Sequence, residues 1–297
     1  MDINKYTIFL EVAKQENLSK AAKALGYTQS GISHTLKRLE EEMNLTLFYR
    51  DRSGAHLTPA GKEVYPVISQ IVQCQENLDQ TIQSLHNLHT GTLNIGTYSS
   101  ISRKWLPYII QKFKQDYPHI KIHFREGGNE DILRWVTRHE VDFGLLSTIS
   151  KTGIEWIPLK EDPLMAVLPP DYPTNGKCSF PLTSFNDQTF IISALGTDID
   201  IHHTLETYQI NPDVQYSADD DYTIISMVAC NLGMSILPQL VLEHYDHSVQ
   251  TLPLEPFAKR QLGVALPSRE MASPAAQKFI QYTKEFIEQQ NRKNLHD

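Results

Sequence analysis

The chain has 297 residues, 40% hydrophobic and 21% charged, with a formal net charge of −8. This is ordinary globular composition at a length that suits about two domains, each with its own core, and it excludes a disordered chain. Three cysteines, Cys74, Cys178 and Cys230, are odd in number, widely spaced and without a CxxC pair, which excludes a disulfide framework and suits a reducing compartment.

Asp2, Lys5, Glu11 and Lys14 interrupt the first residues, so no secretory signal is visible. No run approaches the roughly 18 apolar residues of a membrane helix, and the expected location is the cytoplasm, with no membrane partner. Ile3 to Lys14 reads as a helix with Tyr6, Phe9, Leu10 and Ala13 on one side, closing a core. Next, Ser19 to Gly26 has a capping serine, helix formers and a glycine where the C′ residue belongs. Thr28 then caps a helix to Met43, whose Ile32, Leu36, Leu39 and Met43 form one apolar stripe. Its other face gathers Gln29, Ser30, Ser33, His34 and Lys37, without an acid, in side chains that hydrogen-bond base edges and phosphates.

Two short helices around Gly26-Tyr27-Thr28, with small Ala21 and Ala22 at their contact, make a helix-turn-helix. Leu45, Leu47 and Phe48 lead to Arg50 and Arg52, then a Ser53-Gly54 turn and Leu57, a two-stranded wing with both arginines placed for phosphate. Glu40, Glu41 and Glu42 lie beyond the groove-facing turn and read as a solvated face.

The set Phe9 to Ala13, Ser19-x-Ala-Ala22, Leu25, Gln29 to Ser33, Leu39-Glu40, Leu47-Phe48-x-Arg50 and Leu57-Thr58-x-Ala60-Gly61 resembles the LysR-type transcriptional regulators. The family often has proline and alanine where this chain has Ser30 and Gly31, and glycine inside a helix costs about 1 kcal/mol against alanine. The resemblance implies a sequence-specific DNA-binding regulator, not an enzyme, that is controlled by a small-molecule effector and works as a dimer or a dimer of dimers. On the recognition helix, Gln29, Ser30, Ser33 and His34 are expected at base edges, Lys37, Arg50 and Arg52 on phosphate, and Ser19 beside them. Double-stranded promoter DNA is the expected partner, with RNA polymerase as a further one. The acidic total is no obstacle: residues 1–65 hold nine Lys and Arg against eight Asp and Glu, so the acid sits in the remainder.

From Thr58 to His89 the pattern is one helix of roughly 45 Å, capped by Thr58 with Pro59 at its first position. Val64, Ile71, Leu78 and Leu85 repeat every seven residues, with Ile68, Gln75 and Ile82 as the complementary set, a seam that wants a second copy. The alternative is packing on its own domain. Pro66 is expected to kink the first turns.

Beyond Gly91, strand, helix, strand, helix and strand follow in order (Leu93 to Ile95, Trp105 to Tyr117, Ile120 to Phe124, Ile132 to His139, Val141 to Leu146), which predicts a parallel sheet. A second unit starts near Asp162, with strands at 164–168, 190–193, 214–216 and 235–237 and helices at 201–208 and 222–232. Strand 262–266 and helix 273–288 return to the first unit. This half resembles the family's effector-binding domain, similar to periplasmic solute-binding proteins. The fold expected is therefore an α+β multidomain chain. It comprises a winged helix-turn-helix (1–58), a linker and dimerisation helix (59–90) and a two-subdomain α/β effector-binding domain (91–297). Subdomain I covers about 91–161 and 267–297, and subdomain II about 162–266.

Ligands settle at the carboxyl ends of such strands. Ser99, Ser100, Ser102, Gly127, Thr148 and Thr197 gather there and are the candidate effector contacts. Helix N-termini with Arg103 or Lys104 favour an anion, while Asp219-Asp220-Asp221 oppose it; the expectation is a small organic anion and no cofactor. His86/His89 and His244/His247 have helical spacing but no local acid or cysteine set for a metal. No phosphate loop, GxGxxG or GxSxG is present, and apolar-flanked Cys230 reads as core rather than as a redox sensor. A solute-binding protein is the competing reading, opposed by the N-terminal module.

Overall fold

A computed structural model of the chain describes residues 3–85, 90–147, 153–194, 199–243 and 248–293. Its N-terminal module holds α1 (Ile3–Gln15), α2 (Leu18–Leu25), α3 (Gln29–Met43) and an antiparallel hairpin, β1 (Phe48–Arg50) with β2 (Ala55–Leu57). The expected stripes meet: Tyr6, Phe9, Ile32, Leu36 and Leu39 are buried with Ala21, Ala22, Leu47 and Phe48 in one core. Thr28 caps α3 by accepting the Gly31 N–H at 3.1 Å. Asn17, not Ser19, caps α2, its Oδ1 accepting the Ser19 and Lys20 N–H groups at 2.9 and 3.0 Å. A cap must precede the first helical residue, and here helix begins at Leu18.

Glu40 corrects the solvated-face reading. Its Oε1 accepts the backbone N–H groups of Leu47 (2.7 Å) and Phe48 (3.1 Å) and so fixes where α3 ends and the wing begins. Glu42 pairs with Lys5, and Glu41 lies 3.7 Å from Lys37. We expect Glu40→Ala to destabilise the N-terminal module by about 2 kcal/mol, because two part-buried N–H groups lose their acceptor. Hydrogen exchange at Leu47 and Phe48 measures it; unchanged protection would remove Glu40 from this role.

Helix α4 (Pro59–Leu85) starts from Thr58, whose hydroxyl accepts the Gly61 N–H at 3.0 Å and donates to the Thr46 carbonyl at 2.7 Å. It continues through Pro66, and His86 and His89 lie outside the described residues. The seam divides along its length. Ile68 is buried in the N-terminal core with Val64 and Ile71 packed on it, whereas Leu78, Ile82 and Leu85 are 53%, 43% and 80% exposed. The first half of the stripe therefore packs on its own module, since α1 runs beside it; the second half is uncovered.

The C-terminal half opens with β3 (Gly91–Thr97), α5 (Ser99–Lys104), α6 (Leu106–Asp116), β4 (Ile120–Glu126), α7 (Asn129–Thr137) and β5 (Phe143–Ser147). Strand β3 pairs in parallel with both β4 and β5. Next come β6 (Glu155–Leu168), β7 (Phe180–Pro181), β8 (Thr189–Ser193), α8 (Ile199–Thr207), β9 (Asp213–Ala218) and α9 (Asp221–Ala229). The chain closes with β10 (Ser235–Pro238), α10 (Gln239–Leu242), β11 (Gln250–Glu255), β12 (Lys259–Leu266) and α11 (Pro274–Lys293). One sheet, ordered β4-β3-β5-β12-β6-β11-β7, runs through two lobes, because the long β6 pairs with β12 and then with β10 and β11. β8 and β9 form a separate parallel pair.

Two further cores result, one around Phe113, Phe143 and Phe279 and one around Phe185, Phe190 and Ile224. Leu262, Val264 and Leu266 belong to the first, since β12 pairs with β5, so the chain recrosses near Arg260 rather than at residue 266.

Helix α4 is hydrogen-bonded to the first lobe. Ser69 donates to the His139 carbonyl (3.0 Å), Gln80 to the Thr92 carbonyl (3.1 Å) and Asn77 to the Met271 carbonyl (2.9 Å). Asp142 joins this junction, accepting the Asn94 N–H at 2.7 Å and the Gln73 amide at 3.4 Å. Desolvation pushes its carboxyl up to about 6. The ordinary value is about 3.9, so from about pH 4 to about pH 6 the folded state holds the extra proton and stability falls as pH rises. Asp142→Asn should flatten the decline of the urea midpoint across that window by about one proton's worth; an unchanged slope would assign it elsewhere.

Candidate DNA-binding face and interlobe cleft

On α3 the apolar stripe faces inward, which leaves Gln29, Ser30, His34 and Lys37 exposed and Ser33 half-buried on the opposite side. The wing reaches the same surface: Arg50 Nη1 donates to Ser33 Oγ at 3.2 Å. Arg52 and Ser19 are exposed, Arg52 in the wing turn and Ser19 in the first turn of α2. The wing turn is braced by Asp51, which accepts the Ser53 and Gly54 N–H groups at 2.8 and 3.2 Å and whose carboxyl the Ser53 hydrogen bonds hold below the usual range. Arg50 on β1 thus stands against the outward face of α3, and Lys37 and Arg52 are exposed.

At the lobe junction the carboxyl ends of β3 and β5 meet a hydroxyl cluster. Tyr98 donates to Asn129 Oδ1 at 2.6 Å, accepts the Ser147 N–H at 3.3 Å and lies 3.0 Å from Ser147 Oγ; all three residues are buried. Arg260 and Asp162, 3% and 2% exposed, pair through Nε and Nη2 to Oδ2 at 2.9 Å. Arg260 also donates to Ser100 Oγ at 3.3 Å, and its guanidinium stands 5.3 Å from the centre of the Tyr98 ring. Asp162 Oδ1 accepts the Leu240 N–H at 2.9 Å.

The second lobe brings acids to this cluster. Asp200, in the first turn of α8, accepts a hydrogen bond from Ser147 and lies in the field of Arg260; desolvation raises its carboxyl above the usual range. Asp221, first residue of α9, is pushed up to about 6 by desolvation, against the pull of Arg260 and Arg103. Arg103 lies 4.2 Å from the centre of the Tyr222 ring, tying α5 to α9 across the junction. Among the described residues, Asp162, Asp200 and Asp221 thus face Arg260 and Arg103 here, with His203 beside Asp200.

Of the expected effector contacts, Ser100 is at this junction, against Arg260. Ser102 donates to Glu126 and to the Ser99 carbonyl. Gly127 has a packing reason, since a Cβ there would meet the Trp135 ring at 2.5 Å. Thr148 and Thr197 lie outside the described residues, as do His244 and His247. Cys230 is exposed, not core, because α9 ends at Ala229 and releases it to the surface. Sequence reasoning missed Tyr98, Asn129, Asp162, Asp200 and Arg260; a buried cation-acid pair 98 residues apart has no local signature.

A cavity of about 800 Å³ lies between α1, the wing, α4 and the first lobe. It touches Asn94, midway along β3, and Asp142, just before the amino end of β5, the end opposite to where ligands settle in such sheets.

Comparison with known proteins gives a consistent result. The profile described as "Bacterial regulatory helix-turn-helix protein, lysR family" matches residues 3–62, and "LysR substrate binding domain" matches residues 86–288. The HTH-type transcriptional regulator YvbU of Bacillus subtilis is 30% identical, covering 97% of this chain and 99% of that one. A full-length OxyR from Pseudomonas aeruginosa superposes with TM-score 0.77 at 20% identity, covering 97% of this chain and 94% of its own. Full-length CbnR in complex with its target DNA superposes with TM-score 0.65 at 14% identity, covering 96% and 100%.

Proposed function

This chain belongs to the LysR family of DNA-binding transcriptional regulators, which are controlled by small-molecule effectors and are not enzymes, and on that premise we propose how its residues divide the work. Residues 1–58 read DNA, 59–90 link and dimerise, and 91–297 bind the effector. Gln29, Ser30, Ser33 and His34 meet base edges in the major groove. Lys37, Arg50 and Arg52 meet phosphate, with Ser19 at the flank. The observation that carries this reading is the Arg50–Ser33 contact, which joins wing and recognition helix into one surface.

Leu78, Ile82 and Leu85 form the dimer seam, and a two-fold dimer or dimer of dimers reads an interrupted inverted repeat. Effector binding at the lobe junction shifts the relation between the lobes and hence the promoter contact, which requires different effector affinity in the two states. The protein acts in the cytoplasm and meets RNA polymerase at the promoter. Among the described residues no helix is long and apolar enough to cross a membrane.

A DNase footprint on the DNA beside its own gene tests the reading, with a protected inverted repeat as the expected result. Ser33→Ala should weaken operator binding by about tenfold while nonspecific binding changes little, because a base-edge contact is worth about 1–3 kcal/mol of discrimination. Arg52→Ala should weaken both alike and lower the salt slope by about one. Equal loss of both modes in Ser33→Ala would move Ser33 to the phosphate group.

A further inference from the structure

We propose that His56 is a positioning residue of the wing: as imidazolium it clasps the wing turn to the end of α1, and operator binding thereby tightens as pH falls. This rests on the reading above in which Arg50 and Arg52 meet phosphate, and it adds to that surface a residue and a proton dependence. The wing turn already lies against α1. Glu16, the first residue after α1, takes a left-handed conformation (φ 48°), and its carbonyl accepts the Ala55 N–H at 2.9 Å. Gly54 sits so close that a Cβ there would stand 2.1 Å from that carbonyl oxygen.

His56, on β2, pairs in register with Tyr49, whose ring lies 5.5 Å from its own between centroids. Both ring nitrogens face oxygen. Nδ1 lies 3.5 Å from Glu16 Oε1, while Nε2 lies 2.9 Å from Ser53 Oγ and 3.8 Å from Asp51 Oδ1. The Ser53 hydroxyl gives its proton to Asp51 Oδ1, so it meets Nε2 with lone pairs alone. A carboxylate also only accepts, and the Ser53 hydrogen bonds keep Asp51 in that form by holding its carboxyl below the usual range. Neutral imidazole has one N–H, so one nitrogen would set its lone pair against an oxygen; imidazolium donates from both. The added proton therefore ties β2 to Glu16 on one side and to the turn that carries Arg52 on the other, with Arg50 opposite Ala55 on β1. Glu11 and Lys14 of α1, Lys62 of α4, and Arg125, Arg138 and Glu140 of the first lobe line the cavity beside His56. Among the described residues, the ion-pair contacts of His56 are with Glu16 and Asp51.

The test measures operator affinity of the full-length protein by fluorescence anisotropy from about pH 8 to about pH 6, the range in which histidine changes charge, at constant ionic strength. Wild type is compared with His56→Gln and with Glu16→Gln; His34 and the cavity-lining charges are the same in all three and cancel. Across this range wild type should gain about threefold more affinity than either variant, the size expected of two exposed ion pairs. Amide exchange at Ala55, corrected for its intrinsic pH dependence, reads the clasp without DNA: protection should rise toward pH 6 in wild type more than in either variant. Equal pH dependence of affinity in wild type and His56→Gln would overturn the proposal. A dependence lost in His56→Gln but kept in Glu16→Gln would mean that the new charge attracts phosphate directly, and would overturn the positioning role. If Ala55 protection responds as expected while none of the proteins binds the operator at any pH, the DNA-contact reading fails and the clasp does not.

Discussion

Arg260→Leu is expected to destabilise the C-terminal half by about 3–5 kcal/mol, the largest single effect predicted for the chain. The partner left behind is the reason. Asp162 is 2% exposed and, among the described residues, keeps the Leu240 N–H when the guanidinium is removed, while Asp200 and Asp221 lose the same compensating charge. An ionised carboxylate without its cation in such a place costs several kcal/mol. Adding Asp162→Asn to Arg260→Leu should recover much of the loss, because the amide keeps an acceptor for Leu240 and removes the stranded charge. Urea unfolding of the single and double variants makes the comparison. A double variant no more stable than Arg260→Leu alone would show that the guanidinium acts through packing on Tyr98 and Ser100, not through charge.

Leu78→Ser combined with Ile82→Ser is expected to yield a monomer and to lower operator affinity by about 10²- to 10⁴-fold. When one chain of a dimer is seated, the second half-site binds at a high effective concentration, and that advantage disappears with the dimer. Both side chains are uncovered within the chain, at 53% and 43% exposure, so the substitutions remove little of its own core. Sedimentation gives the oligomeric state, and fluorescence anisotropy on full and half operators gives the affinity. Half-operator binding should be unchanged. A variant that remains dimeric would move the seam away from this part of α4. Ile68→Ser would be the wrong experiment, since Ile68 is buried in the N-terminal core.

By itself the sequence determined whatever is set within a few turns of chain. The apolar stripe Ile32, Leu36, Leu39 and the Thr28 cap specify α3 and its outward polar face, because helical period and capping are local properties. The alternation of strand and helix from Leu93 to Leu146 was equally legible, and with it the parallel sheet. Only the tertiary structure decided which half of the α4 stripe stays uncovered: Val64, Ile68 and Ile71 have the same apolar character as Leu78, Ile82 and Leu85, and α1 happens to lie beside the first three. It likewise decided that Glu40 caps the wing and that Arg260 gathers Asp162, Asp200 and Asp221 at one junction. Burial and charge compensation depend on residues far apart in the chain, and no periodicity carries them.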